Sequence, residues 1–194
     1  MILFDQLRIS DDGKRLYINI HVNEADYFRD VYLDSLTIMT ADKVSETNPH
    51  APTSDYVYQK TFTGNQKTAE LVLQPTDFGL TYSKSDFSGE LLFVYVKAKG
   101  NPDSCTPCGM DEEVTIGAVF DEKMLYQRVM DYSRELADSC ELPMGFADLI
   151  LRWNAFKAAI ETCHWIAGIK YWKMLFDSKG TNSFARTKKC GCHG

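Results

Sequence analysis

The apolar residues of this chain change their spacing once, just after Val119, and that switch limits the fold more than any other feature. Before it, apolar and polar residues alternate. In Leu16 to Val22 the residues Leu16, Ile18, Ile20 and Val22 are separated by Tyr17, Asn19 and His21, which makes one buried and one wet face of a strand. Asp11-Asp12-Gly13-Lys14 stands between this run and Gln6 to Ser10, and Asp-Gly between alternating segments signals a β-hairpin. Val31 to Thr40, Tyr56 to Thr63, Thr68 to Leu73, Gly89 to Lys99 and Glu113 to Val119 are further strand candidates. Seven strands with turn-rich separators and no helical period between them predict an antiparallel β-sandwich.

After the switch the spacing becomes three and four. Asp121 is placed to cap a first helix, Glu122 suits its positive end, and Leu125, Val129, Tyr132 and Leu136 mark its apolar face. Beyond Pro143 and Gly145, Leu149, Trp153, Phe156 and Ile160 form one stripe, and Trp165, Ile169, Trp172 and Phe176 form another. The five-residue step from Ile160 to Trp165 turns a helix by about 500°, roughly 140° past a full turn. One continuous helix would therefore need two buried faces, whereas a hairpin turning near Glu161 to His164 needs one per arm. The hairpin is the favoured reading; a buried helix, apolar on several sides, is the other. Gly180 is positioned to end the last helix.

The fold class predicted is α+β: a β-sandwich of about seven strands over 1–119, a bundle of about three helices over 120–179, and a basic tail over 180–194. Two separators exceed a turn. Asp42 to Asp55, with Asn48-Pro49-His50-Ala51-Pro52, and Gly100 to Asp111 are expected as exposed loops at the ends of the sandwich.

At 194 residues and 22.1 kDa the chain is large enough to bury roughly 70% of its unfolded surface. Its longest apolar run, Leu91 to Val96, is far short of a membrane span. Met1-Ile2-Leu3-Phe4-Asp5 lacks the basic start of a secretory signal, so a soluble protein made inside the cell is expected. The formal charge of −6 divides into +4 over the last sixteen residues (Lys179, Arg186, Lys188, Lys189) and −10 over residues 1–178. An acidic body repels nucleic-acid phosphates.

The six cysteines are expected as reduced thiols, because a chain of this size does not need disulfide staples. Cys105-x-x-Cys108 lacks the strand-to-helix setting of a redox pair; Pro107, Gly109 and a β-like segment follow it. With Cys190, Cys192 and His193 it has the donor types for a tetrahedral zinc site, although those residues sit at the far end of a Gly- and Lys-containing tail. The bland alternative is a tight turn and a free tail, and no cofactor is expected. His21, His50, His164 and His193 are scattered. No nucleophile elbow, phosphate-binding Gly-rich loop, His-Glu-x-x-His pair or dinucleotide fingerprint is present, so the chain is not expected to be an enzyme. The aromatic load of the last two helices exceeds what a short two-arm hairpin can bury. Trp165, Trp172 and Phe176 are therefore expected to meet another subunit.

Three stretches, QLRISDDGKRLYINIHV at the first hairpin, CTPCGMDEEVTIGAVFDEK at the strand-to-helix junction, and LILRWNAF with AAIETCHWIAGIKYW in the helices, carry a resemblance. The chain resembles the virion structural proteins of crAss-like phages, tailed viruses of gut Bacteroidetes, in particular the ring proteins between portal and tail. The resemblance implies a subunit of a homo-oligomeric head-to-tail ring in the virion, made in the host cytoplasm. Its implied partners are the portal protein or neighbouring ring and tail proteins, DNA passes through without tight binding, no membrane is involved, and no catalytic residues are carried over. A β-sandwich binding module that grips a glycan or protein through its end loops is the alternative reading.

Overall fold

In a computed structural model the protein is described over residues 1–25, 28–100, 111–138 and 145–176. It comprises two compact units. One spans Met1–Val44 and His50–Asp121; the other joins Ser45–Pro49 to the chain from Glu122 onward.

The first unit holds seven strands: β1 (Ile2–Ile9), β2 (Leu16–Val22), β3 (Tyr32–Thr40), β4 (Tyr58–Thr61), β5 (Thr68–Leu73), β6 (Leu92–Lys99) and β7 (Glu112–Val119). They form two antiparallel sheets, β1-β2-β5 and β4-β3-β6-β7. The seven strands and the antiparallel sandwich expected from the alternation are all present. The first hairpin shows why local chemistry fixes register. Gly13 takes a left-handed φ of 74°, and the Asp12 carboxylate accepts bonds from the Ser10 hydroxyl (2.6 Å) and the Lys14 amide (3.0 Å). Those two bonds hold the Asp12 carboxyl below the usual carboxylate range. The fixed turn puts Leu16, Ile18, Ile20 and Val22 together on the core face.

The core between the sheets takes Leu33, Leu36 and Ile38 from β3 and Leu92, Val94, Val96 and Ala98 from β6. On the opposite face of the same two strands, Thr37, Met39, Phe93 and Tyr95 are buried too. The middle of this sheet is thus covered on both sides, which is why Leu91 to Val96 reads as a continuous apolar run rather than an alternation. Burial pushes the Tyr95 phenol up to about 12. On one flank the sandwich is closed by β1 lying against β7. A Cβ on Gly117 would come within 2.6 Å of Leu7 Cδ2 and 3.0 Å of the Phe4 ring, and the Met1 ammonium sits 3.4 Å from a Glu113 carboxylate oxygen. Phe78, Tyr82 and Phe87 pack ring against ring below the first hairpin. Beside them the buried Glu90 carboxylate is paired with Lys84 Nζ.

The second unit holds α1 (Glu122–Asp138), α2 (Phe146–Glu161) and α3 (Trp165–Leu175). The phase break does mark a helix hairpin. Thr162 closes α2, and Cys163 takes a left-handed φ of 59°. The Cys163 amide donates to Ile160 O (3.2 Å) and the His164 amide to Ala159 O (2.9 Å), the paired bonds of a Schellman stop with cysteine where glycine is usual. The arms run antiparallel: Arg152, ten residues before Thr162, donates to the Met174 carbonyl at the end of α3 (2.9 Å), a cation at a negative helix terminus. The arms approach closely at Gly168, where a Cβ would meet Ile160 Cδ1 at 2.7 Å.

The expected exposed loop from Asp42 to Asp55 is corrected in part. Val44 and Pro49 are buried, and Ser45–Pro49 belongs to the helical unit, where Glu46 accepts a hydrogen bond from Lys173 at 2.7 Å. Most of Gly100 to Asp111, with Cys105 and Cys108, lies outside the described residues, as do Cys140, Gly180, Cys190, Cys192 and His193.

Candidate functional site

The helical unit is where sequence reasoning placed the working surface. Its apolar stripes are buried: Leu125 and Val129 from α1, Leu149, Trp153, Phe156 and Ile160 from α2, and Trp165, Ile169, Trp172 and Leu175 from α3. The α1 helix supplies the cover that a two-arm count leaves out. Tyr126 meets Trp153 edge-on at 5.3 Å, Tyr132 meets Phe176 at 5.7 Å, and the Arg128 guanidinium lies 4.6 Å over the Phe176 ring. Lys157 on α2 reaches Glu122 at the start of α1 (2.7 Å).

Trp165 and Trp172 therefore keep most of their surface inside the chain, and Phe176 is half-buried against Trp172 and Tyr132. The apolar side chains that face outward were not singled out from sequence: Leu151 on α2, 67% exposed, and Ile166 on α3, 50% exposed. Leu151 shares the exposed face of its helix with Ala147, Asn154 and Ala158, and Ile166 shares that of α3 with Lys170. Among the described residues the buried Trp172 indole N–H has no hydrogen-bond partner, an arrangement that costs about 1–3 kcal/mol.

Among the described residues, chemistry-bearing side chains do not gather elsewhere. His21 pairs with Asp5 (2.6 Å) and His164 with the Thr162 hydroxyl (2.7 Å), each on its own surface. Cys163 is exposed in the helix turn. Among the described residues no group of three His, Cys, Asp or Glu side chains is close enough to hold a metal ion, and no helix is long and apolar enough to cross a membrane. The β-sandwich carries an open groove of about 560 Å³ lined by Lys14, Arg15, Gln74, Phe78, Leu80 and Tyr82 among others. It lies at the first hairpin and the 74–85 segment, not at the loop around Asn48 to Pro52.

Residues 2–192 match the family described as crassvirus tail hub protein A. The chain belongs to the crassvirus tail hub protein A family. It is similar to a relative named tail hub protein A from Bacteroides phage crAss001, 31% identical over 220 aligned positions that cover 98% of this chain and 99% of the relative. The resemblance to crAss-like phage virion proteins seen in the hairpin, junction and helix stretches thus holds along nearly the whole chain. As a member of the tail hub protein A family it is a structural component of the phage tail.

Proposed function

We propose that this protein is a non-enzymatic tail hub subunit that forms a cyclic ring around the DNA passage and contacts the portal or a neighbouring ring or tail protein. The observation that supports this most is the family match spanning both units, 2–192. Subunit contact in the helical unit is carried by the outward Leu151 and Ile166, with Trp165, Trp172 and Phe176 as the rigid backing behind them. The net −10 of residues 1–178 suits a channel through which DNA slides, since like charges prevent tight phosphate contacts.

Negative-stain electron microscopy of the purified full-length chain, alone and mixed with the portal and tail proteins of its phage, tests the reading. Rings are expected in at least one of these samples. A monodisperse monomer that binds none of those proteins would sink it. Leu151→Asp with Ile166→Asp should lower ring yield while the circular dichroism spectrum stays the same.

A further inference from the structure

The groove on the β-sandwich has a fixed shape. It is lined by Lys14 and Arg15 from the first hairpin and by Phe78, Leu80 and Tyr82 from the 74–85 segment. The Gly13 carbonyl accepts the Phe87 amide (2.7 Å), which ties the hairpin to the end of that segment. The Gly79 amide donates to the Val57 carbonyl (2.9 Å), the Gln74 amide to the Asp77 carboxylate (2.7 Å), and the Tyr82 hydroxyl to the Asp86 carbonyl (2.7 Å). Both walls are therefore set before anything enters, and an occupant is spared the cost of ordering them.

Its charges are unevenly used. Lys84 is held by the buried Glu90, and the Asp12 carboxylate is engaged by the Ser10 hydroxyl and the Lys14 amide. The side chains of Lys14 and Arg15 are exposed and make no ion pair among the described residues, although residues 1–178 carry −10 overall. In the same groove Leu80 stands fully in solvent, 105% exposed. Two unpaired cations beside an uncovered apolar side chain complement a ligand that is acidic and apolar at once.

We propose that this groove receives an acidic segment of a neighbouring tail protein, whose carboxylates meet Lys14 and Arg15 and whose apolar side chain covers Leu80. The inference rests on the hub reading and names one surface for its partner contact. Nucleic acid is a poorer occupant, because two free cations make few phosphate contacts and Asp12 lies among them. A second copy of the chain fits less well too. Its one run of three acids, Asp111-Glu112-Glu113, already has Lys97 on Glu112 (2.9 Å) and the Met1 ammonium beside Glu113 (3.4 Å). The carboxylates that the groove calls for are thus better supplied by a different protein.

The first test titrates the full chain into a short fluorescein-labelled peptide of Glu-Glu-Leu repeats and follows anisotropy. Tighter binding than to the matching Gln-Gln-Leu peptide is expected, despite the like net charges of peptide and protein; equal or weaker binding overturns the proposal. Lys14→Glu with Arg15→Glu should weaken that binding about five- to tenfold. Lys60→Glu with Lys67→Glu makes the same change of charge outside the groove and should weaken it less; an equal loss would mean a response to net charge alone and overturns the site. The second test places a benzophenone amino acid at Leu80 in the full chain, mixes it with the portal and tail proteins of its phage, irradiates and maps the links by mass spectrometry. Links into an acidic segment of another protein are expected. Links into a second copy, into nucleic acid or into a neutral or basic segment, or no links in a mixture that assembles, overturn the proposal. A wild-type chain that assembles with none of those proteins would refute the hub reading itself, an outcome told apart from the first test because the peptide titration needs no assembly.

Discussion

The two units solve the same problem, the bending back of the chain, with different local chemistry. In the sandwich, positive φ falls on Gly13, Gly64 and Gly89 or on Asp30 and Asn65, residue types that tolerate it. In the helical unit it falls on Cys163, whose Cβ makes the left-handed conformation cost about 1–2 kcal/mol. The same contrast holds for buried polar atoms. Both Glu113 Oε2 and Trp172 Nε1 are buried without a hydrogen bond among the described residues, but Glu113 Oε2 has the Met1 ammonium 3.4 Å away. The sandwich is locally consistent; the helical unit carries misfits that its packing outweighs.

The contrast can be broken by asking whether the units melt separately. All three tryptophans are on α2 and α3, so indole fluorescence reports on the helical unit alone. Phe156→Ala, at a fully buried site, should destabilise that unit by about 3–5 kcal/mol and shift the fluorescence transition in urea. Ile18→Ala should instead shift the strand signal in circular dichroism, by about 2–5 kcal/mol. Equal shifts of both signals by both variants would mean one cooperative structure.

A smaller difference is expected at the two close-approach glycines. Gly117→Ala forces a methyl onto Leu7 and the Phe4 ring and should cost about 1–3 kcal/mol. Gly168→Ala meets the flexible end of Ile160 and gains up to about 1 kcal/mol of helix propensity, so its loss should be less. Calorimetry of the two variants ranks them, and the reverse order would contradict this account of the close approaches. Cys163→Gly should raise the stability of the helical unit by about 1 kcal/mol, read as a later fluorescence midpoint; no change would mean that the turn stores no strain.

The smallest effect is one of pH. The hydrogen bond from Lys173, then its charge, holds the Glu46 carboxyl below its ordinary value. A depressed carboxylate stabilises the fold above the unfolded pKa and loses that contribution as pH falls through the folded value. Glu46→Gln should flatten the melting profile of the helical unit in that acid range. The difference should vanish in about 1 M salt, because both side chains are exposed.

What the sequence disclosed follows from what repeats along it. Strands with one wet face announce themselves by alternation, and the 140° jump after Ile160 was enough to find the helix hairpin. The two-sided burial of Phe93 and Tyr95 had no periodic signature, because a continuous apolar run fits a helix core equally well. Val44 and Pro49 were hidden for another reason: a single buried residue in a polar loop carries no pattern. The turn over Glu161 to His164 is legible from that jump alone, although Cys163 stands where a stop usually has glycine. Helix periodicity describes one helix at a time, so the packing of Tyr126 on Trp153 and of Tyr132 on Phe176 had no signature in it.

The placement of Ser45–Pro49 with the helices has a consequence for synthesis. This short piece leaves the ribosome roughly seventy residues before α1 begins, which at about 5–20 residues per second is a delay of about 4–15 s. The strands β4 to β7 all emerge in that interval. The helical unit therefore waits for a later-made part of the polypeptide to join an earlier one. A C-terminal fragment starting at Glu122 would lack the carboxylate that Lys173 holds.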